Sequence, residues 1–178
     1  MKSSELLVDA FGRIDETVAR VLKGIDAERL NWRPGGTGNS IAWLLWHLTR
    51  IQDDHMAELA GVEQRWTADG FAVRSGFPLE PADTGYAHSS AQVDSVRVES
   101  GTLLLDYHRA VQRQSLELLN GLDGADFDRI VDRRWTPAVT LGVRVVSVVN
   151  DCMQHAGQAA YVRGLPMDAP RPNGMVDS

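Results

Sequence analysis

Residues 41–48, Ile-Ala-Trp-Leu-Leu-Trp-His-Leu, set apolar side chains almost all the way round a helical wheel. A helix of that kind must be covered on more than one side, so the rest of the chain has to pack around it. His47, the only titratable residue of the run, therefore sits inside the fold or at the floor of a pocket. The run stops well short of the roughly 18 to 20 apolar residues of a membrane span, as does the other nearly uncharged stretch, 137–150. No segment is expected to cross a bilayer.

Apolar residues also recur at helical spacing from Leu6 to Leu22, with Gly24 as a stop, which predicts a first helix over 3–22. The break Arg33-Pro34-Gly35-Gly36 precedes Asn39 and Ser40, either of which can cap a second helix over about 40–59. A third helix is expected over about 100–119, ended by Gly121. In the last segment, about 140–163, the β-branched run from Val143 to Val149 favours a strand. The pattern nevertheless continues unbroken to a stop at Gly164 and Pro166, which makes it a helix.

Between 61 and 98 the periodicity fails, and Gly70, Gly76, Pro78, Pro81 and Gly85 mark a long irregular connection that carries Trp66, Phe71, Phe77 and Tyr86. Ordered connections of that length are usually functional, for instance as lids. A second irregular connection covers 123–139. Four helices without a strand or repeat predict an all-α protein, an antiparallel four-helix bundle with its long connection between helices two and three. One domain is expected over 1–178, with an irregular tail from about 167.

A chain of 178 residues with 43% apolar and 24% charged residues suits one globular domain. At a net charge of -6 with scattered basic residues there is no footprint for a polyphosphate backbone, so nucleic acid is not an expected partner. The single cysteine, Cys152, excludes an intrachain disulfide and a Cys-cluster zinc site, and agrees with a reducing compartment. The first residues lack the apolar core of a secretory signal, and the expected location is the cytoplasm.

Asp151 and His155 are four positions apart, so on a helix they share one face, about 5 to 6 Å apart at Cβ. That face also carries Val148 and Val162, and a polar pair in an apolar stripe needs a partner. His47 is the natural third member, because helices two and four can face each other across a bundle. Two readings fit the residues alone. One is an open metal site with three protein ligands, the arrangement of catalytic rather than structural sites; the other is an Asp–His hydrogen bond with an unrelated buried histidine.

Trp43-Leu-Leu-Trp-His47-Leu on helix two, followed by Asp151-Cys-Met-Gln-His155-Ala-Gly-Gln158 and with the loop phrase Asp83-Thr-Gly-Tyr86-Ala-His88 between them, resembles the DinB-like superfamily of metal-binding four-helix bundles. The resemblance implies that His47, Asp151 and His155 are the metal ligands and the catalytic centre. Many members carry His or Glu where this chain has Asp151, whose shorter side chain can ligate directly, through a water, or by orienting an imidazole. Zinc is the first expectation for the metal, with nickel, iron or manganese as alternatives. The branch that looks most similar uses mycothiol or a similar low-molecular-weight thiol in S-transferases and isomerases, with the thiol as co-substrate and a small electrophile as second partner.

Trp43, one turn before His47, and His88, in the long connection, are candidates for the cofactor-binding side of the site; packing is the plainer reading of Trp43, and His88 can serve as an acid or base. His55 and His108 read as surface residues, and Cys152 as a small buried hydrophobe. Ala156, Gly157, Ala159 and Ala160 form a small-residue surface suited to core packing or to a homodimer seam. The expected function is a metal-dependent thiol S-transferase. The alternatives are a non-catalytic metal- or ligand-binding stress-response module, or a metal-dependent hydrolase or isomerase on the same scaffold.

Overall fold

A computed structural model describes residues 2–167; most of the tail expected to be irregular, 168–178, lies outside the described residues. Helix α1 spans Ser3–Leu22, a short α2 Ala27–Asn31, and α3 Ile41–Ala60. The connection that follows holds α4 (Arg65–Ala68), α5 (Phe71–Ser75) and α6 (Ser90–Ser95). Helix α7 spans Thr102–Asn120, the strands β1 (Ile130–Asp132) and β2 (Val139–Thr140) form an antiparallel pair, and α8 runs Leu141–Gly164. Among the described residues no helix is long and apolar enough to cross a membrane.

The long helices begin and end where local chemistry says they should. The Ser40 hydroxyl accepts the Trp43 N–H and the Thr140 hydroxyl the Val143 N–H, each satisfying an amide that a helix start leaves free. Gly61, at φ +67°, closes α3 in the left-handed conformation that a side chain resists. The β-branched run of α8 stays helical because its burial follows a helical period. Val145 and Val148 enter the core while Val143 and Val146 face outward, and packing of one face outweighs strand propensity.

Helices α1, α3, α7 and α8 form the bundle, and side-chain pairs give their directions. His55 of α3 meets Arg144 of α8, and Leu48 meets Cys152, so these two helices run antiparallel. Thr49 meets His108 while Gln52 meets Gln112 and Ser115, so α3 and α7 run parallel. Arg163 donates to the Arg20, Val21 and Lys23 carbonyls at the end of α1, making α1 and α8 parallel and capping α1 with a guanidinium. The start of α7 lies against the end of α1, since a Cβ at Gly101 would stand 3.0 Å from Leu22. These directions refine the expected antiparallel bundle: the long connection retraces the length of α3, about 30 Å, before α7 begins.

The connections are more ordered than their sequence implies. Residues 61–98 fold into three short helices that bury Trp66 and Phe71, and 123–139 contains the β1–β2 pair. The small residues of α8 do not form one surface, because Ala156 and Ala159 are in the core while Gly157 and Ala160 face outward.

His108 is not the surface residue expected: it is 0% exposed, covered by α1 and α3, and His55 is half-buried. The Thr49 hydroxyl donates to the Leu45 carbonyl, so His108 Nδ1 donates to Thr49 Oγ1 at 3.2 Å. Burial, helped by the Arg109 charge, pushes this imidazole down to about 4. Asp15 Oδ1, itself buried and 3.6 Å from Nε2, pulls the other way but makes no hydrogen bond to the ring, so the downward direction stands. The unfolded chain takes up this proton near pH 6.5, before the fold does. Stability is therefore fully present above that pH and falls as the pH drops toward 4, by about 2 to 3 kcal/mol. Urea unfolding between pH 7 and 4.5 should show this slope in the wild type and lose it in His108→Gln; equal slopes would remove the assignment.

Candidate metal centre

The antiparallel contact of α3 with α8 brings together His47, Asp151 and His155. One ligand atom from each lies within 4.8 Å of the others, a group that could hold a metal ion. The two imidazoles meet edge to face at 4.6 Å between centroids. Ligands around an ion with bonds of about 2.1 Å stand roughly 3 to 4 Å apart, so closing on a cation requires side-chain shifts of only about an ångström. His47 is therefore not unrelated to the pair on α8.

The protons around this group are set by its neighbours. His47 Nδ1 lies 2.6 Å from the Thr84 carbonyl and His155 Nδ1 lies 2.9 Å from the Asp151 carbonyl. A carbonyl only accepts, so each ring carries its proton on Nδ1 and, when neutral, presents an Nε2 lone pair. A histidine ligand whose other nitrogen is anchored in this way is the usual pattern at metal sites. Asp151 Oδ2 is buried and receives no hydrogen bond. It stands 3.3 Å from His155 Nδ1, but that N–H points at the Asp151 carbonyl, so the two attract by charge without a well-formed bond. A buried carboxylate oxygen lacking a donor is costly, and a cation is the partner such an oxygen lacks. The donor set therefore fits a divalent metal.

Burial pushes His47 down, with His155 and His88 adding to it against the Thr84 carbonyl and Asp151, which favours the neutral, ligating form. Burial also acts against the charged forms of Asp151 and His155, but each favours the charge of the other. The Asp151 carboxyl ends below its ordinary value and the His155 imidazole above its own.

Trp43 stacks on the His47 ring at 4.7 Å with 11° between planes, and its Nε1 donates to His88 Nδ1 at 3.1 Å. His88 Nδ1 is thus the acceptor, and Nε2–H donates to Asp83 Oδ1 at 2.9 Å. Both ring nitrogens are in use, so in this arrangement His88 braces Trp43. Gly85 sits against the same face: an added Cβ would lie 2.7 Å from His47 Nδ1 and 3.0 Å from Trp46, at a φ of +89°. Gly85→Ala should therefore displace the His47 ring from the Thr84 carbonyl and lower metal affinity by about 10- to 100-fold, the scale for losing an outer partner of a ligand. Chelator competition measures it, and an unchanged affinity would show that this contact does not set the ring.

Sequence reasoning missed the pair that holds the connection in place. Arg50 and Asp53, one and two turns after His47, are both 0% exposed. Arg50 donates to the carbonyls of Asp83 and Pro81 at 3.0 and 3.2 Å and to Gln64 Oε1 at 2.8 Å. Asp53 accepts the Arg65 and Trp66 amides at the start of α4 at 2.9 and 2.8 Å, and the Tyr107 hydroxyl at 2.8 Å. The two side chains fix both ends of the segment that carries Thr84, and thereby the acceptor for His47. The only signal was an Arg and an Asp at helical spacing behind His47.

The family described as the DinB superfamily matches residues 10–159, a span that contains all three metal-centre residues. Among solved structures, a conserved protein from Enterococcus faecalis is similar at a TM-score of 0.85 and 27% identity, over 92% of this chain and 96% of that one. No curated protein matches.

Proposed function

The chain belongs to the DinB superfamily, and from that premise we propose that it is a metal-dependent thiol S-transferase, joining a low-molecular-weight thiol of the mycothiol type to an electrophile. The observation that carries this reading is the open three-donor group of His47, Asp151 and His155. Structural zinc sites are usually closed by four protein ligands, whereas catalytic ones leave a position for substrate. These residues would hold the divalent ion, zinc first, with nickel, iron or manganese suited to the same donors. Bound there, such an ion would keep a coordinated thiol in its thiolate form at neutral pH.

The sulfur has to come from outside. Cys152 is wholly buried, its Sγ faces the Leu48 carbonyl at 3.4 Å, and burial, with the Asp151 charge, pushes its thiol well up. In the transfer an S–C bond forms as the bond to the leaving group breaks, and the thiol proton passes to solvent. Trp43, stacked on His47, would hold that ring still and wall the site, while His88 would support Trp43 rather than touch substrate.

Purified protein loaded with zinc or nickel should conjugate a bimane electrophile to mycothiol, and lose that activity without the metal, without the thiol, and in His47→Ala. No conjugation with mycothiol, cysteine or glutathione would overturn the reading. If the metal still raised the melting temperature, a non-catalytic binding module would take its place.

A further inference from the structure

Beside the metal centre a cavity of about 340 Å³ opens between α3, α8 and the β1–β2 segment, and Asp151 belongs to its lining. That volume lies within the range of small-molecule sites. Its walls are apolar, from Ile51, Val139, Val143 and Val148. Its mouth is flanked by Tyr86 from the long connection and Trp135 from the second one, 85% and 65% exposed. Large aromatics left in water on both sides of a cavity mark a surface that an apolar body can cover.

The polar end of the cavity is Arg144, beside His55. Arg144 Nη2 donates to Asp132 Oδ2 at 2.9 Å, and Nη1 lies 3.3 Å from His55 Nδ1. Asp132 is already gripped by Arg134 through Nε at 3.0 Å, Nη2 at 2.8 Å and the backbone amide at 2.9 Å. One carboxylate thus faces two guanidinium groups. A guanidinium has five N–H donors, and no further partner of Arg144 is found among the described residues. The other charged groups nearby, Asp54 and Glu58, do not line the cavity, and Asp151 is committed to the metal in the reading above. Arg144 also borders a second depression with Glu58 and Arg129, and in the cavity its remaining donors share one lining with aromatic and aliphatic surface and with Asp151 of the metal centre.

Resting on the transferase reading, we propose that this cavity receives the electrophile, and that the electrophile is a small carboxylate with an aromatic or apolar body: its carboxylate on Arg144, its body between Tyr86, Trp135 and Val143, and its reactive carbon toward Asp151. Arg144 sets which substrates are accepted, since a neutral analogue adds no charge-assisted bond to the donors that Asp132 leaves unused.

Titration of the zinc-loaded full chain, without any thiol, with phenylpropionate and with its amide, followed by NMR of the indole N–H signals, tests this without turnover. The acid should bind and shift the signal that disappears in Trp135→Ala, with the amide about 10-fold weaker or more, the scale of a charge-assisted hydrogen bond. Arg144→Gln should bring the acid down to the level of the amide, and Trp135→Ala, an exposed position that does not threaten folding, should weaken both alike. If Arg144→Gln does not fold, Arg144→Lys should weaken the acid by a smaller factor, because the charge remains and the planar fork is lost. Equal binding of acid and amide to the wild type, or acid binding indifferent to residue 144 or to residue 135, overturns the proposal. Carboxylate binding with no thiol conjugation would remove the transferase reading alone; conjugation with no carboxylate binding would remove this assignment alone.

Discussion

In His47→Ala, metal affinity is expected to fall by more than about 100-fold, beyond the 10- to 100-fold that loss of an outer partner costs. The imidazole is one of only three donors, and Asp151 with His155 retains two donors on a single helix face. The ring also joins α3 to the long connection through the Thr84 carbonyl. Elemental analysis of protein purified without chelator, followed by competition with a chromophoric chelator, measures both stoichiometry and affinity. Folding should survive, because the helix around the ring is held by Leu44, Leu45 and Leu48. Full occupancy in the variant would show that the three residues do not act together.

Asp53→Ala should be strongly destabilising although it lies outside the centre. It removes the carboxylate 3.5 Å from the buried Arg50 guanidinium and leaves only the weaker pull of Asp83 on that charge, which costs about 3 to 5 kcal/mol. It also strips the Arg65 and Trp66 amides of their acceptor. At about 2 to 4 °C per kcal/mol for a chain of this size, the melting temperature should drop by roughly 10 °C, read by circular dichroism. A paired replacement, Arg50→Met with Asp53→Leu, removes the stranded charge and should recover part of the loss. It cannot recover all of it, because the two amides still lack a partner. Complete recovery would mean that the pair acts only on itself and does not hold the connection.

The four long helices were legible because α1, α7 and α8 each bury a stripe with a helical period, α3 opens on a run apolar all round, and stops or caps mark their ends, as at Ser40, Gly61 and Thr140. The grouping of His47, Asp151 and His155 was legible only in part from spacing: a carboxylate and an imidazole one turn apart also fit a simple hydrogen bond, and it was the family resemblance that joined them to His47 as a group that could hold a metal ion. Arg50, Asp53 and His108 were not legible. Arg50 and Asp53 occupy the more polar second half of α3, which looks solvated until Trp66 and the segment around Pro81 fold over it. His108 is covered by α1 and α3, elements distant in sequence. The pairing of β1 with β2 escaped detection because two strands of two and three residues carry too little alternation to register. His88 was seen as a reactive candidate, yet its two nitrogens are consumed by Trp43 and Asp83, a fact that depends on how the connection folds back.

Cys152 sits one residue from a proposed ligand, sealed between α8 and the Leu48 carbonyl. An alkylating reagent can trap that sulfur only when the bundle opens, since thiolate and access are both denied to it in the fold. The lone sulfhydryl thus works as a clock for the helix pair that carries the site. Its labelling rate, followed with and without added metal, reports how much harder the two helices are to part once an ion joins them.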